Sequence, residues 1–174
     1  LGGAISLGKA ALHLALILLK VKGGDEVICQ SMTFSASAKP IVYQSAIPIF
    51  VDSERDTWNI CPNALETAIK ERMSKGRKPK AIIAVHLYGM PFKVDEIRTI
   101  ANKYEIPIIE DSAEALGSAF KGQKCGTFGD ISILSFNGNK IITPPGGGAI
   151  FTINELLKNE AVLLASPARD NAPH

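Results

Sequence analysis

Three groups along this chain have the types and spacing to do chemistry. Lys140 sits in LSFNGNKIITPPGGGAI (134–150), directly after Asn139 and four positions beyond the apolar run ISILSF. On an Asn/Gly-rich turn a lysine is ordinarily a solvated surface group. Partly desolvated, the same amine is a nucleophile that forms a Schiff base with a carbonyl compound, and the loop alone leaves both readings open. Asp111 follows Glu110 at the end of IPIIED (106–111). Adjacent strand residues point to opposite faces, so this pair does not converge on one metal ion. One carboxylate aimed off the strand end can hold the proton of a heterocyclic nitrogen; otherwise Asp111 caps the Ser112–Leu116 turn. His13, His86 and His174 show no ligand spacing, and no metal site is expected.

The third group opens the chain. GAISLGKA (3–10) nearly spells the phosphate loop of nucleotide triphosphatases, but it ends in Ala10, where a hydroxyl should meet magnesium. The chain also begins too close to this point for a preceding strand to be expected. A glycine leading straight into a helix still presents free N–H groups and a positive dipole end, so Gly8 to Ala11 is an expected anion site. An anion-binding helix start, an acid after one strand and a lysine after a later one match the three handles of pyridoxal phosphate: phosphate, ring nitrogen and aldehyde.

These groups must be positioned by the elements between them. Ala10–Leu19 has helical length, Asp25–Cys29 is a short β-branched run, and Ser35–Gln44 is a small-residue helix candidate. Pro48–Val51, Ala81–His86, Ile106–Ile109, Ile131–Ser135 and Ala149–Thr152 read as strands; Pro62–Met73, Val94–Tyr104 and Asn154–Ala165 read as helices. Continuous apolar strands alternating with amphipathic helices predict an α/β protein, three-layer α/β/α with a mostly parallel sheet. Ligands of such sheets lie off the carboxyl ends of the strands. The segments of interest are therefore Gln30–Phe34, Asp52, His86–Gly89, Glu110–Glu114 and Asn137–Lys140.

Composition sets outer limits. The 174 residues, 46% hydrophobic and 21% charged, suit one ordinary soluble core. A net charge of +2 and one scattered basic run, KGRKPK (75–80), argue against nucleic-acid binding. The three cysteines lie far apart without a C-x-x-C pair, which points to a reduced, cytoplasmic setting. The most apolar segment is too short to span a bilayer.

At these same residues the sequence resembles the DegT/DnrJ/StrS sugar aminotransferases, a branch of the aspartate-aminotransferase (type I) fold. The resemblance rests on GDEVI (24–28), TFSASA (33–38), PIFVD (48–52), HLYG (86–89), IIEDSAEALGS (108–118), KCGTFGD (124–130) and LSFNGNKIIT (134–143). It implies that residues 1–174 are the central part of the pyridoxal-phosphate-binding large domain, the small C-terminal domain lying outside them. It further implies that Lys140 binds the cofactor covalently, that Asp111 pairs with the pyridinium nitrogen, that Ser135 and Gly8 meet the phosphate and that Phe34 stacks on the ring. Glu114 falls where relatives carry Gln or His near the ring hydroxyl or face. Lys9 replaces the threonine of the family's S-G-T element and would meet the phosphate by charge. Leu7, Pro144 and Pro145 are further departures; two prolines remove two backbone donors after the lysine loop.

The activity implied is transfer of an amino group from an amino acid, glutamate in the family, to a nucleotide-linked 4-keto-6-deoxy sugar for surface-glycan synthesis by a homodimer. The wording is closest to UDP-4-keto-6-deoxy-N-acetylglucosamine 4-aminotransferases, with GDP-perosamine-forming relatives similar. A dehydratase branch replaces the lysine with histidine, which Lys140 argues against. A catalytically silent or regulatory relative, or a phosphate-loop nucleotide-binding protein, are the alternatives.

Overall fold

Short apolar runs too brief for helices supply the strands of this protein. In the computed structural model, which describes residues 2–5, 8–142 and 147–165, seven of them hydrogen-bond into one sheet. They are β1 (Gly2–Ile5), β2 (Glu26–Gln30), β3 (Ile47–Val51), β4 (Ala81–Val85), β5 (Ile108–Asp111), β8 (Ile131–Ser135) and β9 (Gly148–Phe151), in the order β1-β9-β8-β5-β4-β2-β3. Neighbours from β3 to β8 run parallel, while β9 is antiparallel to both β8 and β1. The sheet is thus mostly parallel, as the sequence predicts. A hairpin of β6 (Ala119–Phe120) and β7 (Gln123–Lys124) stands apart from it.

Helices cover both faces, which is why central strands such as β4 are apolar throughout. On one face α1 (Gly8–Leu18), α2 (Ser35–Tyr43) and α5 (Glu155–Ala165) pack Leu12, Leu16, Ile41 and Ala161 against Val27, Ile83, Ile109, Ile131 and Ile133. On the other, α3 (Pro62–Ser74) and α4 (Val94–Lys103) bring Leu65, Ile69, Ile97 and Ala101 onto Ile28, Ile82 and Ile108. Full burial of each large aliphatic side chain contributes about 1.5–3 kcal/mol. Pro62 starts α3 where its missing N–H is no loss.

Most element ends shift by only one or two residues from expectation, and two differences have a clear physical reason. A strand does precede Gly8, contrary to the sequence reading: GGAI (2–5) has no β-branched pattern of its own and is held as a strand by pairing with β9. The strand expected from Ile106 begins at Ile108, because the Ile106 amide closes α4 on Ala101 O and Pro107 has no amide to donate. Leu7, Pro144 and Pro145 lie outside the described residues. Among the described residues no helix is long and apolar enough to cross a membrane.

Candidate functional site

The site lies where parallel strands end. β5 stops at Asp111 and β8 at Ser135, and the start of α1 packs over β8. Between them opens a cavity of about 460 Å³ lined by Gly8, Lys9, Phe34, Asp111, Glu114, Ser135 and Lys140 among others. Every residue singled out from the sequence for the cofactor is therefore on one wall or another. Four of the five strand-end segments reach the cavity; Asp52 does not, its carboxylate accepting the Ser53 amide at 2.8 Å instead.

Asp111 is only 4% exposed. Its Oδ2 accepts the Ser37 hydroxyl at 2.8 Å and its Oδ1 the Ala113 amide at 3.1 Å, so it both caps the following turn and faces the cavity. Burial pushes its carboxyl upward, and Ser37, Ala113 and the positive charge of Lys140 offset only part of that cost. An acid so placed is stabilised by a cationic hydrogen-bond donor. Ser37, at the heart of the small-residue run TFSASA, escaped the sequence reading; helix α2 starting at Ser35 is what turns it towards Asp111.

Lys140 enters from the loop after β8. Its Nζ lies 3.1 Å from Glu114 Oε1 and 5.9 Å from the centre of the Phe34 ring, and its side chain is 11% exposed. The Asn/Gly-rich turn folds this lysine inward, against the usual fate of such residues. The second oxygen of Glu114 accepts the Tyr88 amide at 2.9 Å, which fixes the carboxylate beside the amine. Phe34 is 66% exposed and precedes α2, so its ring can offer a flat apolar face at the cavity mouth.

The third wall is the contact between Gly8 and Ser135. A Cβ on Gly8 would lie 2.5 Å from Ser135 Cβ and 2.6 Å from its Oγ, so only glycine lets the helix start approach that hydroxyl. No acidic residue occupies the first turn of α1, and no described carboxylate pairs with Lys9. A helix dipole, an ammonium group and a hydroxyl thus face one corner of the cavity without a counter-charge. A phosphate suits that corner, a protonated ring nitrogen suits Asp111 and a carbonyl carbon suits Lys140, so the residues present fit pyridoxal phosphate. Among the described residues no cluster of His, Cys, Asp and Glu is disposed to hold a metal.

Sheet order and site together define an α/β/α protein of the aminotransferase fold. The chain belongs to the DegT/DnrJ/EryC1/StrS aminotransferase family, whose sequence model matches residues 3–173. It is 54% identical over 171 residues to EpsN of Bacillus subtilis (strain 168), provisionally named a pyridoxal phosphate-dependent aminotransferase, covering 98% of this chain and 44% of EpsN. It is 46% identical over 153 residues to the GDP-perosamine synthase of Escherichia coli O157:H7, covering 88% of this chain and 40% of that enzyme. A crystal structure of a DegT DnrJ EryC1 StrS aminotransferase from Brucella abortus matches with a TM-score of 0.90 at 34% identity, over 93% of this chain and 44% of that one. The chain spans less than half the length of each of these proteins.

Proposed function

We propose that the protein is a pyridoxal-phosphate-dependent aminotransferase that moves an amino group from an amino acid, glutamate by expectation, to a nucleotide-linked 4-keto-6-deoxy sugar. One observation carries the reading: Lys140, Asp111 and the Gly8–Ser135 contact, distant in sequence, line one cavity at the carboxyl edge of the sheet. The likeness to a GDP-perosamine synthase supports a sugar-nucleotide substrate. A homodimer and a cytoplasmic setting belong to the same proposal.

In this reading the Lys140 amine would hold the cofactor by its aldehyde and Asp111 would serve its ring nitrogen. Gly8, Lys9 and Ser135 would hold the phosphate, and Phe34 would cover the ring. Bound there, the cofactor supplies a carbonyl for the travelling amino group and a protonated ring that stabilises negative charge at the substrate's α-carbon. Asp111 keeps its carboxylate on that side of the cavity through Ser37 and Ala113. Lys140 Nζ, once free, would take the proton from the donor's α-carbon and carry it to the carbon on the far side of the transferred nitrogen, two atoms along. Glu114, 3.1 Å away, orients that amine for both events.

Borohydride reduction of the cofactor-loaded protein should attach the cofactor to the peptide containing Lys140, read by mass spectrometry, and Lys140→Ala should abolish both the attachment and the visible absorbance. Incubation with glutamate and UDP- or GDP-linked 4-keto-6-deoxy sugars should give products with the mass of the amino sugar. A colourless protein in the presence of added cofactor would refute the reading and favour a silent relative.

A further inference from the structure

We infer that Thr33 and Ser37 form a hydroxyl chain that makes the cavity selective for an occupant with a protonated ring nitrogen, Ser37 acting as the positioning residue of Asp111. The inference deepens the proposed function and rests on it. The two residues lie four apart around the start of α2. Hydroxyls at such a place ordinarily accept the free amides of the first helical turn. Here the N-cap is Phe34, which has no hydroxyl, and the helix start has no side-chain cap. The Thr33 and Ser37 hydroxyls instead lie 2.9 Å apart, and that of Ser37 donates to Asp111 Oδ2 at 2.8 Å. All three residues line the cavity, with Ser37 2% and Asp111 4% exposed.

The chain has a direction. A serine hydroxyl carries one proton. Directed at the Asp111 carboxylate, that proton is not available to Thr33, so in the second contact Thr33 donates and Ser37 accepts. Thr33 thereby fixes a hydroxyl that would otherwise rotate. On the other side of the carboxylate the Ala113 amide, which can only donate, meets Oδ1 at 3.1 Å. Both oxygens accept, which is the pattern of an ionised acid. Burial pushes the Asp111 carboxyl up, and the Ser37 hydrogen bond is the largest of the effects that oppose burial. Both donors are nevertheless neutral, and Lys140, whose charge also favours the ionised form, has its own carboxylate partner in Glu114 at 3.1 Å.

What completes such an acid is a cation that brings a hydrogen-bond donor. A charge-assisted N–H···O bond is roughly twice as strong as a neutral one, and a pyridine ring protonated at nitrogen supplies it. A ring with C–H at that position supplies neither charge nor donor. Without Ser37 a buried Asp111 is more readily neutralised, and a neutral carboxyl gains less from the cation. The Ser37 hydroxyl therefore sets how sharply the cavity tells the two rings apart, not whether a ring fits. The same stretch, TFSASA (33–38), carries Phe34 at the cavity. One helix start thus serves both the face of the ring and the partner of its nitrogen.

Equilibrium binding separates this role from a merely structural one. Pyridoxal phosphate and its carbocyclic analogue, in which C–H replaces the ring nitrogen, are titrated into the cofactor-free full chain by calorimetry at neutral pH. The native chain should prefer pyridoxal phosphate. Ser37→Ala should lower that preference about tenfold, the contribution of one hydrogen bond to a charged group, with the affinity for the analogue within about twofold of native. Thr33→Val should lower the preference about threefold, whereas Thr33→Ser, which keeps the hydroxyl, should retain it. The two Thr33 variants carry the test if Ser37→Ala does not fold. Equal loss of both affinities in Ser37→Ala shows a structural role and overturns the inference, as does a native preference in Thr33→Val. A native chain that binds both rings equally well overturns it and leaves the proposed function standing. A native chain that binds neither overturns both.

Discussion

Glu110 and Asp111, consecutive on β5, send their carboxylates to opposite faces of the sheet into opposite chemical situations. Asp111 meets the cavity with two neutral donors. Glu110 is sealed in the core, where His86 Nε2 (2.7 Å), Ser132 Oγ (2.7 Å) and the amides of Gly126, Phe128 and Gly129 (2.5, 2.7 and 2.8 Å) converge on it. The Phe92 amide donates to His86 Nδ1 at 3.2 Å, which leaves the ring proton on Nε2 for Glu110. Gly129 is required there, because a Cβ would lie 2.8 Å from that of Glu110.

This clamp predicts an acid-sensitive fold. Burial pushes the Glu110 carboxyl up, but the hydrogen bonds from His86, Gly126 and Ser132 outweigh it and hold the group down at about 2. The folded state therefore stays ionised where the unfolded chain has taken up its proton, so stability present at neutral pH should drain away from pH about 4.3 down towards about 2. Glu110→Ala strands several buried donors and should cost about 3–5 kcal/mol in urea unfolding, with that acid limb flattened. Equal acid sensitivity in the variant would show that another group governs it.

Asp111 should behave in the opposite sense. Its folded-state carboxyl is raised by burial, so the cofactor-free protein loses stability as pH climbs through and above the ordinary carboxylate range. Asp111→Asn should then have a higher melting temperature than the native protein at pH 7 without cofactor, and a lower affinity for pyridoxal phosphate. The native protein should gain more than the variant on loading. A variant that melts lower in the free form contradicts the assignment of desolvation as the dominant cost.

At the anion corner, Gly8→Ala forces a methyl group onto Ser135 and should cost about 1–3 kcal/mol by overpacking, together with cofactor affinity. Ser135→Gly in the same chain removes the atoms it strikes, so the double variant should recover stability without recovering affinity for the phosphate. Denaturant titration and fluorescence titration of the cofactor read the two effects apart.

Lys9 offers a flexible charge where the resemblance implies a threonine hydroxyl. Cofactor binding to the free protein should therefore weaken as sodium chloride rises, and Lys9→Thr should lower affinity roughly tenfold at low salt while flattening the salt dependence. Identical salt slopes for the two proteins would remove Lys9 from the phosphate site.

Much of the fold and site was legible because it depends on neighbours in sequence. β-branched runs such as AIIAV (81–85) gave the parallel strands, Pro62 gave a helix start, and strand alternation alone separated Glu110 from Asp111. The resemblance added roles for Lys140, Asp111, Ser135, Phe34 and Gly8, and the fold carries all five to one cavity. β1 was not legible, because its glycine-rich residues become a strand only through β9.

The sequence by itself determined the α/β class, the lysine, the acid and the helix start, since local propensity and side-chain chemistry travel with the residues. Only the tertiary structure decided that Ser37 supports Asp111, that Glu114 bridges Lys140 and Tyr88, and that His86 closes on Glu110. Those contacts join residues 24 to 74 positions apart. Their geometry is set by how parallel strands stack side by side and end together, which no local pattern encodes.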